Sequence, residues 1–316
     1  MPAFQEDLVL LPRSKNESGW NFLPGIVQPM PCDEEAMYRA MMLGLRDFVN
    51  KNAYKGVVLG LSGGIDSALS AAVAVDALGK DRVRAVMLPS PFTSRDSIED
   101  ATESAQRLDI RLDTISIEPG MQAFEGMLNS FFGGAIAEVI TGSNQPRLRG
   151  AILMAISHAE RRLLLTTGNK SELAAGYMTL YGDMCGHYCV LKDIYKTTVY
   201  RIAKWRNAQN DVIPQRSITK APTAELKLDQ TDQDTLPPYE LLDAILIRLI
   251  EGQRSIDELV AEGFDRATVE RVSGMVFAAE YKRRQAAPGV KMTHMSFDGD
   301  RRYPITDAWW VQQLMP

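Results

Sequence analysis

Val57-Val58-Leu59-Gly60-Leu61-Ser62-Gly63-Gly64-Ile65-Asp66-Ser67 decides the fold of this chain. A short apolar run ends in two adjacent glycines, and a helical pattern from Ser67 to Leu78 follows, with Gly79 as its stop. Paired glycines let the backbone turn so that successive N–H groups converge, while the helix start adds its positive end. The product is a cradle for phosphate or pyrophosphate. Its spacing is neither the G-x-x-x-x-G-K-[ST] loop nor the G-x-G-x-x-G fingerprint. A plain strand-to-helix turn with Ser and Asp as caps is the bland alternative.

The segments on either side repeat the same alternation. Strands are expected at 57–61, 83–88, 112–117 and 163–167. Helices are expected from Asp33, from Ser97 to about Leu108, from Pro119 to about Phe132, from Asn144 to Arg161 and over Val199 to Trp205. Strand–helix repetition predicts an α/β fold: a doubly wound parallel sheet with helices on both faces, binding ligands beyond the carboxyl ends of its strands. Pro237-Pro238 opens a strongly apolar helix and 265–285 forms another, so a C-terminal helical extension is expected. Residues 215–236 are polar and aperiodic, which suits a mobile loop over a site or a disordered connection. Residues 1–32 carry five prolines without a sustained period and read as an extended arm. The domain is expected over 33–306, with a short tail at 307–316.

The 316 residues are 45% hydrophobic and 24% charged, which suits a folded globular chain. With 35 basic against 40 acidic residues, the net charge of -5 argues against general nucleic-acid binding, although one pocket can still be basic. Three cysteines form no disulfide framework, no apolar run is long enough to span a bilayer, and Met1 to Asp7 lack a signal-peptide pattern. A cytoplasmic protein with no membrane partner is therefore expected.

Ser62-Gly63-Gly64-Ile65-Asp66-Ser67 resembles the loop of the N-type ATP pyrophosphatases, which split ATP into AMP and pyrophosphate. Further segments make the chain similar to the NAD synthetases within that group: Thr167 to Glu172, Thr179 to Gly186, Lys192 to Lys196, Ile218 to Leu226 and Asp300 to Thr306. The likeness runs from about residue 33 to Thr306 and is closest to the synthetase part of the glutamine-dependent type. It implies an adenine nucleotide alpha hydrolase-like sheet. It also implies a two-step reaction: deamido-NAD is adenylated by ATP with release of pyrophosphate, and ammonia then displaces AMP to give NAD.

The resemblance assigns residues as well. Gly60, Leu61, Ser62, Gly63, Gly64, Ile65, Asp66 and Ser67 would hold the ATP phosphates, with Thr167, Lys196 and Thr223 contacting ATP and Met87 and Leu88 near the adenine. Asp66 and Glu172 would hold Mg²⁺, hard oxygen donors for a hard cation. Arg147, Tyr177, Leu180, Asp183 and Lys282 would contact deamido-NAD. Pro146 departs from the family's Ala before that Arg. Lys170 and Lys220 are further cations inside the matching motifs.

Glutamine-dependent relatives carry an N-terminal nitrilase-like glutaminase. No such domain fits before residue 33, so the chain is expected to be either an excised synthetase half or a protein that uses free ammonia, and ammonia is the nitrogen source expected for the chain as it stands. Cys32 has no Glu and Lys partners placed to activate it. The family also implies a homodimer with deamido-NAD bound across two subunits. Another synthetase using the same ATP chemistry, GMP synthetase-like, and a silent nucleotide-binding module are the competing readings. Cys185, His187 and Cys189 look metal-like but fall short of a four-ligand site.

Overall fold

The computed structural model describes residues 3–25, 27–133, 138–227 and 230–306. The expected tail at 307–316, with Trp309 and Trp310, lies outside them. In the arm, β1 (Arg13–Asn16) and β2 (Gly19–Phe22) pair antiparallel as a small ribbon. Both strands are exposed almost throughout, so no buried face marks them in the sequence.

From α1 (Asp33–Lys51) the chain runs through β3 (Val57–Gly60), α2 (Ile65–Leu78), β4 (Val83–Met87), α3 (Arg95–Arg107) and β5 (Arg111–Thr114). It continues with α4 (Glu118–Phe132), α5 (Glu138–Glu160), β6 (Leu163–Thr166), α6 (Lys170–Ala175), β7 (Tyr188–Cys189) and α7 (Lys196–Gln209). Strands β3 to β7 form one parallel sheet in the order β5-β4-β3-β6-β7. The chain therefore moves outward from β3 to one edge, then restarts at β6 on the other side of β3. That reversal opens a crevice at the carboxyl ends of β3 and β6, the usual ligand position in such sheets.

Both sheet faces are covered, as the continuous apolar strands require. Leu59, Ala85 and Leu165 face α1, α2 and α7, where Met41, Leu45 and Leu69 are fully buried. Val58, Val86 and Leu164 face the opposite way, toward Ile117, Met121 and partly buried Leu148 and Ile152 of α4 and α5. A second core gathers α6 with the C-terminal helices α9 (Tyr239–Ile250), α10 (Ile256–Ala261) and α11 (Arg266–Ala278), closed by Phe297 and Tyr303.

Several boundaries differ from the sequence expectation. Helix α3 starts at Arg95, not Ser97, because the Ser94 hydroxyl accepts from the Ser97 N–H at 3.1 Å and caps the helix. Helix α5 starts at Glu138 and carries Pro146 inside it. The expected helix at 265–285 divides into α11 and α12 (Glu280–Arg283). The polar stretch 215–236 is not wholly irregular: it holds α8 (Gln215–Thr219) and a 3-10 turn at Asp232–Asp234. Among the described residues no helix is long and apolar enough to cross a membrane.

Candidate functional site

The loop after β3 opens with a bend that a side chain would forbid. Gly63 has φ +82, and a Cβ there would lie 2.3 Å from the Ser97 carbonyl oxygen. The Ser217 hydroxyl donates to the Gly63 carbonyl at 2.9 Å, so α8 pins the loop from the far side. Within the loop, Ser67 Oγ accepts from the Ser62 N–H at 3.2 Å and donates to the Gly64 carbonyl at 3.0 Å. Gly64 precedes α2 without a side-chain cap, which leaves the helix start open to an anion.

This loop forms one end of a cavity of about 540 Å³. Gly60, Leu61, Ser62, Gly64, Ile65, Asp66 and Ser67 line it, while Gly63 stands behind them. Met87 and Leu88 at the end of β4, and Thr167 just past β6, line the neighbouring wall. Thr223 also reaches the cavity, but its hydroxyl donates to the Gln230 carbonyl at 2.5 Å and is engaged inside its own loop.

Lys196, the first residue of α7, is buried and donates from Nζ to Asp66 Oδ2. The Glu172 carboxylate stands 3.7 Å from the same ammonium. Asn169 ties the pair together: its side-chain amide donates to Asp66 at 3.0 Å, and its backbone N–H donates to Glu172 at 3.1 Å in the capping box of α6. Burial, followed by the charge of Asp66, pushes the Glu172 carboxyl up to about 8. Burial works against the Lys196 charge, yet the two carboxylates hold its pKa above the ordinary lysine value. Near neutral pH the Glu172 proton leaves the cluster balanced, and a divalent cation that displaced this proton would meet two hard oxygen donors at the mouth of a phosphate loop, a donor set that fits Mg²⁺.

Asp183 and Lys282 line the cavity farther from this cluster, while Tyr177 lines it beside Asp232 and within reach of the Glu172 charge. Burial raises the Asp183 pKa, even though its carboxylate accepts from the Thr179 N–H at 2.7 Å. Lys282 donates to the carbonyls of Gly176 and Met178, both at 2.7 Å, and burial lowers its pKa. Among the described residues the buried Tyr177 hydroxyl completes no hydrogen bond, although Asp232 lies close enough to perturb it.

Three expected contacts lie elsewhere. Leu180 and Arg147 do not line the cavity; Arg147 is exposed and donates to the Leu180 carbonyl at 3.3 Å and the Ser143 carbonyl at 3.1 Å. Arg149, two positions on, faces the cavity in its place, because two helical residues differ by about 200° around the axis. Lys170 also leaves the nucleotide end. It is fully buried and pairs with Asp193 at 2.7 Å and Glu251 at 2.6 Å, in the joint between the sheet and the C-terminal helices.

Sequence reasoning missed the closure of the polar loop. Glu225 Oε1 accepts from the hydroxyls of Ser94 at 2.7 Å and Ser97 at 2.8 Å, and Lys220 donates to Ser97 Oγ at 3.1 Å and Asp100 at 2.8 Å. No local pattern pairs residues more than a hundred positions apart. The metal-like trio is also resolved: His187 Nδ1 accepts from the Leu164 N–H at 3.2 Å, and Cys189 Sγ donates to the Gly168 carbonyl at 3.0 Å. Among the described residues no cluster of three or more His, Cys, Asp or Glu could hold a metal.

Comparison with known proteins identifies the family. The family described as NAD synthase matches residues 37–286. The glutamine-dependent NAD(+) synthetase of Rhodobacter capsulatus is 50% identical, over 98% of this chain and 58% of its own length. The structure of glutamine-dependent NAD+ synthetase from Acinetobacter baumannii, in complex with ADP, aligns with a TM-score of 0.65 at 41% identity, covering 98% of this chain and 56% of that one. The NH3-dependent NAD synthetase from Campylobacter jejuni aligns with a TM-score of 0.61 at 26% identity, covering 78% and 94%. The chain spans about half the length of the curated relatives it matches. By its fold, its phosphate loop and the match over 37–286, it belongs to the NAD synthase family.

Proposed function

We propose that this chain amidates deamido-NAD to NAD at the expense of ATP. The observation that carries the reading is one cavity with a phosphate loop and the Lys196–Asp66–Glu172 cluster at one end and Asp183 and Lys282 at the other. A carboxylate is a poor acyl donor, so the first step makes a leaving group. An oxygen of the nicotinate carboxylate attacks the α-phosphorus of ATP and pyrophosphate departs. Ammonia then attacks the carbonyl carbon, the C–O bond to AMP breaks, and the nitrogen loses a proton.

In this reading the chain positions and neutralises rather than supplying a nucleophile. Gly60 to Ser67 cradle the polyphosphate, Lys196 sets a positive charge beside it, and Thr167 and Thr223 close on it. Met87 and Leu88 pack near the adenine. Asp66 and Glu172 would hold Mg²⁺, which would supply charge neutralisation on the phosphates. Tyr177, Asp183 and Lys282 contact deamido-NAD, with Leu180 framing the segment. Arg147, exposed outside its own chain's cavity, suits a site completed across a homodimer. Phe124, Met127 and Phe131, exposed on one face of α4, support such an interface.

Free ammonia is the proposed nitrogen source and the cytoplasm the proposed compartment. Pyrophosphate release measured with ATP-Mg²⁺, with and without deamido-NAD, tests the reaction, and ammonium set beside glutamine tests the nitrogen source. Release that ignores deamido-NAD would refute the substrate; NAD formed from glutamine alone would refute the ammonia assignment.

A further inference from the structure

Arg149 is a cation on the cavity wall with no counter-charge among the described residues. Its Nε donates to the Leu88 carbonyl at 3.0 Å, and no carboxylate of the described residues comes within ion-pair distance. The other cations around the cavity are all engaged: Lys196 by Asp66, Lys220 by Asp100, Lys282 by two carbonyls. Burial lowers the Arg149 pKa to about 10, against the more distant charges of Glu225 and Asp183. A partly buried, unpaired guanidinium costs stability, and the fork of its two terminal nitrogens is left to take a planar anion.

Its position says which anion. The residue after it, Gly150, is pressed against the 179–185 segment: a Cβ there would lie 2.8 Å from the Gly182 carbonyl and 3.0 Å from Cys185 Cβ. Of the two charges that reach Arg149, Glu225 belongs to the loop held against the start of α3, and Asp183 belongs to the same 179–185 segment. It therefore stands between the 179–185 segment, where deamido-NAD is proposed to bind, and the strand end beside the nucleotide wall.

We propose that Arg149 is the residue that reads the charge of the group being amidated, pairing with the substrate's carboxylate and finding no charge to pair with in the carboxamide product. This rests on the function proposed above. The same guanidinium then selects substrate and favours product release, because the reaction itself removes its partner.

The test compares the affinities of deamido-NAD and NAD for the whole chain and for Arg149→Gln by calorimetry, with ATP-Mg²⁺ titrated separately. The wild type is expected to prefer deamido-NAD by about tenfold or more, the scale of a charge-assisted pair. Arg149→Gln is expected to bind both dinucleotides alike, with ATP affinity unchanged and Tm not lowered, since an uncompensated charge has gone. Arg149→Met, which keeps the aliphatic stem, serves if the Gln variant does not fold. A variant that keeps the preference overturns the proposal. So does one that loses ATP affinity with the preference intact, which would assign Arg149 to a phosphate. A wild type that binds deamido-NAD without preferring it overturns the charge-reading role alone; one that does not bind it at all overturns the function as well.

Discussion

The carbonyl oxygen of Ser97 occupies the space that a side chain on Gly63 would need, so the first turn of α3 and the phosphate loop are fitted to each other. Gly63→Ala must either push α3 away or unwind the bend at φ +82. It is expected to cost roughly 2 kcal/mol or more and to slow pyrophosphate release by over about tenfold. Gly64→Ala is the control, since its nearest neighbour, Ser62 Oγ, would be at 3.4 Å. Thermal melts should show a lowered Tm for the first variant and a nearly unchanged one for the second.

Glu225 has φ +48, an uncommon conformation for a non-glycine residue, and its carboxylate bridges two serine hydroxyls at the start of α3. That contact holds the 220–227 segment against the edge of the phosphate loop. In Glu225→Ala, cleavage by trypsin after Lys227 should accelerate several-fold while Tm changes little, as for other surface loop substitutions. ATP-Mg²⁺ should slow the same cleavage in the wild type. Equal cleavage rates in the two chains would mean that the loop is held by something else.

How much of this was legible before the structure depended on how far apart the partners lie. The bend at Gly63-Gly64, the strand before it and Thr167 past β6 were readable, because each is encoded by its neighbours. Strand β7 was not: two residues, Tyr188 and Cys189, are strand only because they pair with Leu165 and Thr166. The lysines make the same point more sharply. Lys170 and Lys196 follow equally strong motifs, yet one points at Asp66 and the other at Glu251, eighty-one positions away in sequence. Helix phase divided Arg147 from Arg149 in the same way, and nothing local told which of them faced inward.

Lys170 should accordingly behave as a structural residue. Its ammonium is shared by Asp193, Glu251 and the Met295 carbonyl, and Asp193 also accepts from the N–H groups of Met292 and Thr293. Lys170→Met strands two carboxylates at a buried joint and is expected to cost about 3–5 kcal/mol. Whatever fraction remains folded should keep the wild-type KM for ATP. A raised KM with unchanged Tm would return Lys170 to the nucleotide site.

The three cysteines should react in an order set by exposure and thiolate supply. Cys32 is exposed, Cys185 is half-buried on the cavity wall, and Cys189 is buried with its thiol pushed up to about 11. Near neutral pH a small alkylating reagent should modify Cys32 first and leave Cys189 untouched until the chain unfolds. ATP and deamido-NAD together should slow the modification of Cys185. A chelator should change none of these rates; a chelator-dependent exposure of Cys189 would revive a metal site there.

Glu172 gives the chain a pH dependence whose sign follows from its surroundings. Its folded-state pKa of about 8 lies above the ordinary 4.5, so the folded chain holds this proton more tightly than the unfolded one. The linked stability is fully present below about 4.5 and is lost as pH rises through about 8. With Mg²⁺ chelated, Tm should therefore fall across that window, and Glu172→Gln should flatten the part of the fall that belongs to this residue. Adding Mg²⁺ at the alkaline end should restore Tm in the wild type, because a cation then balances the charge that the Glu172 proton balanced at lower pH, and should do much less in Glu172→Gln. An identical Mg²⁺ response in both chains would separate Glu172 from the cation altogether and leave Asp66 as its anchor.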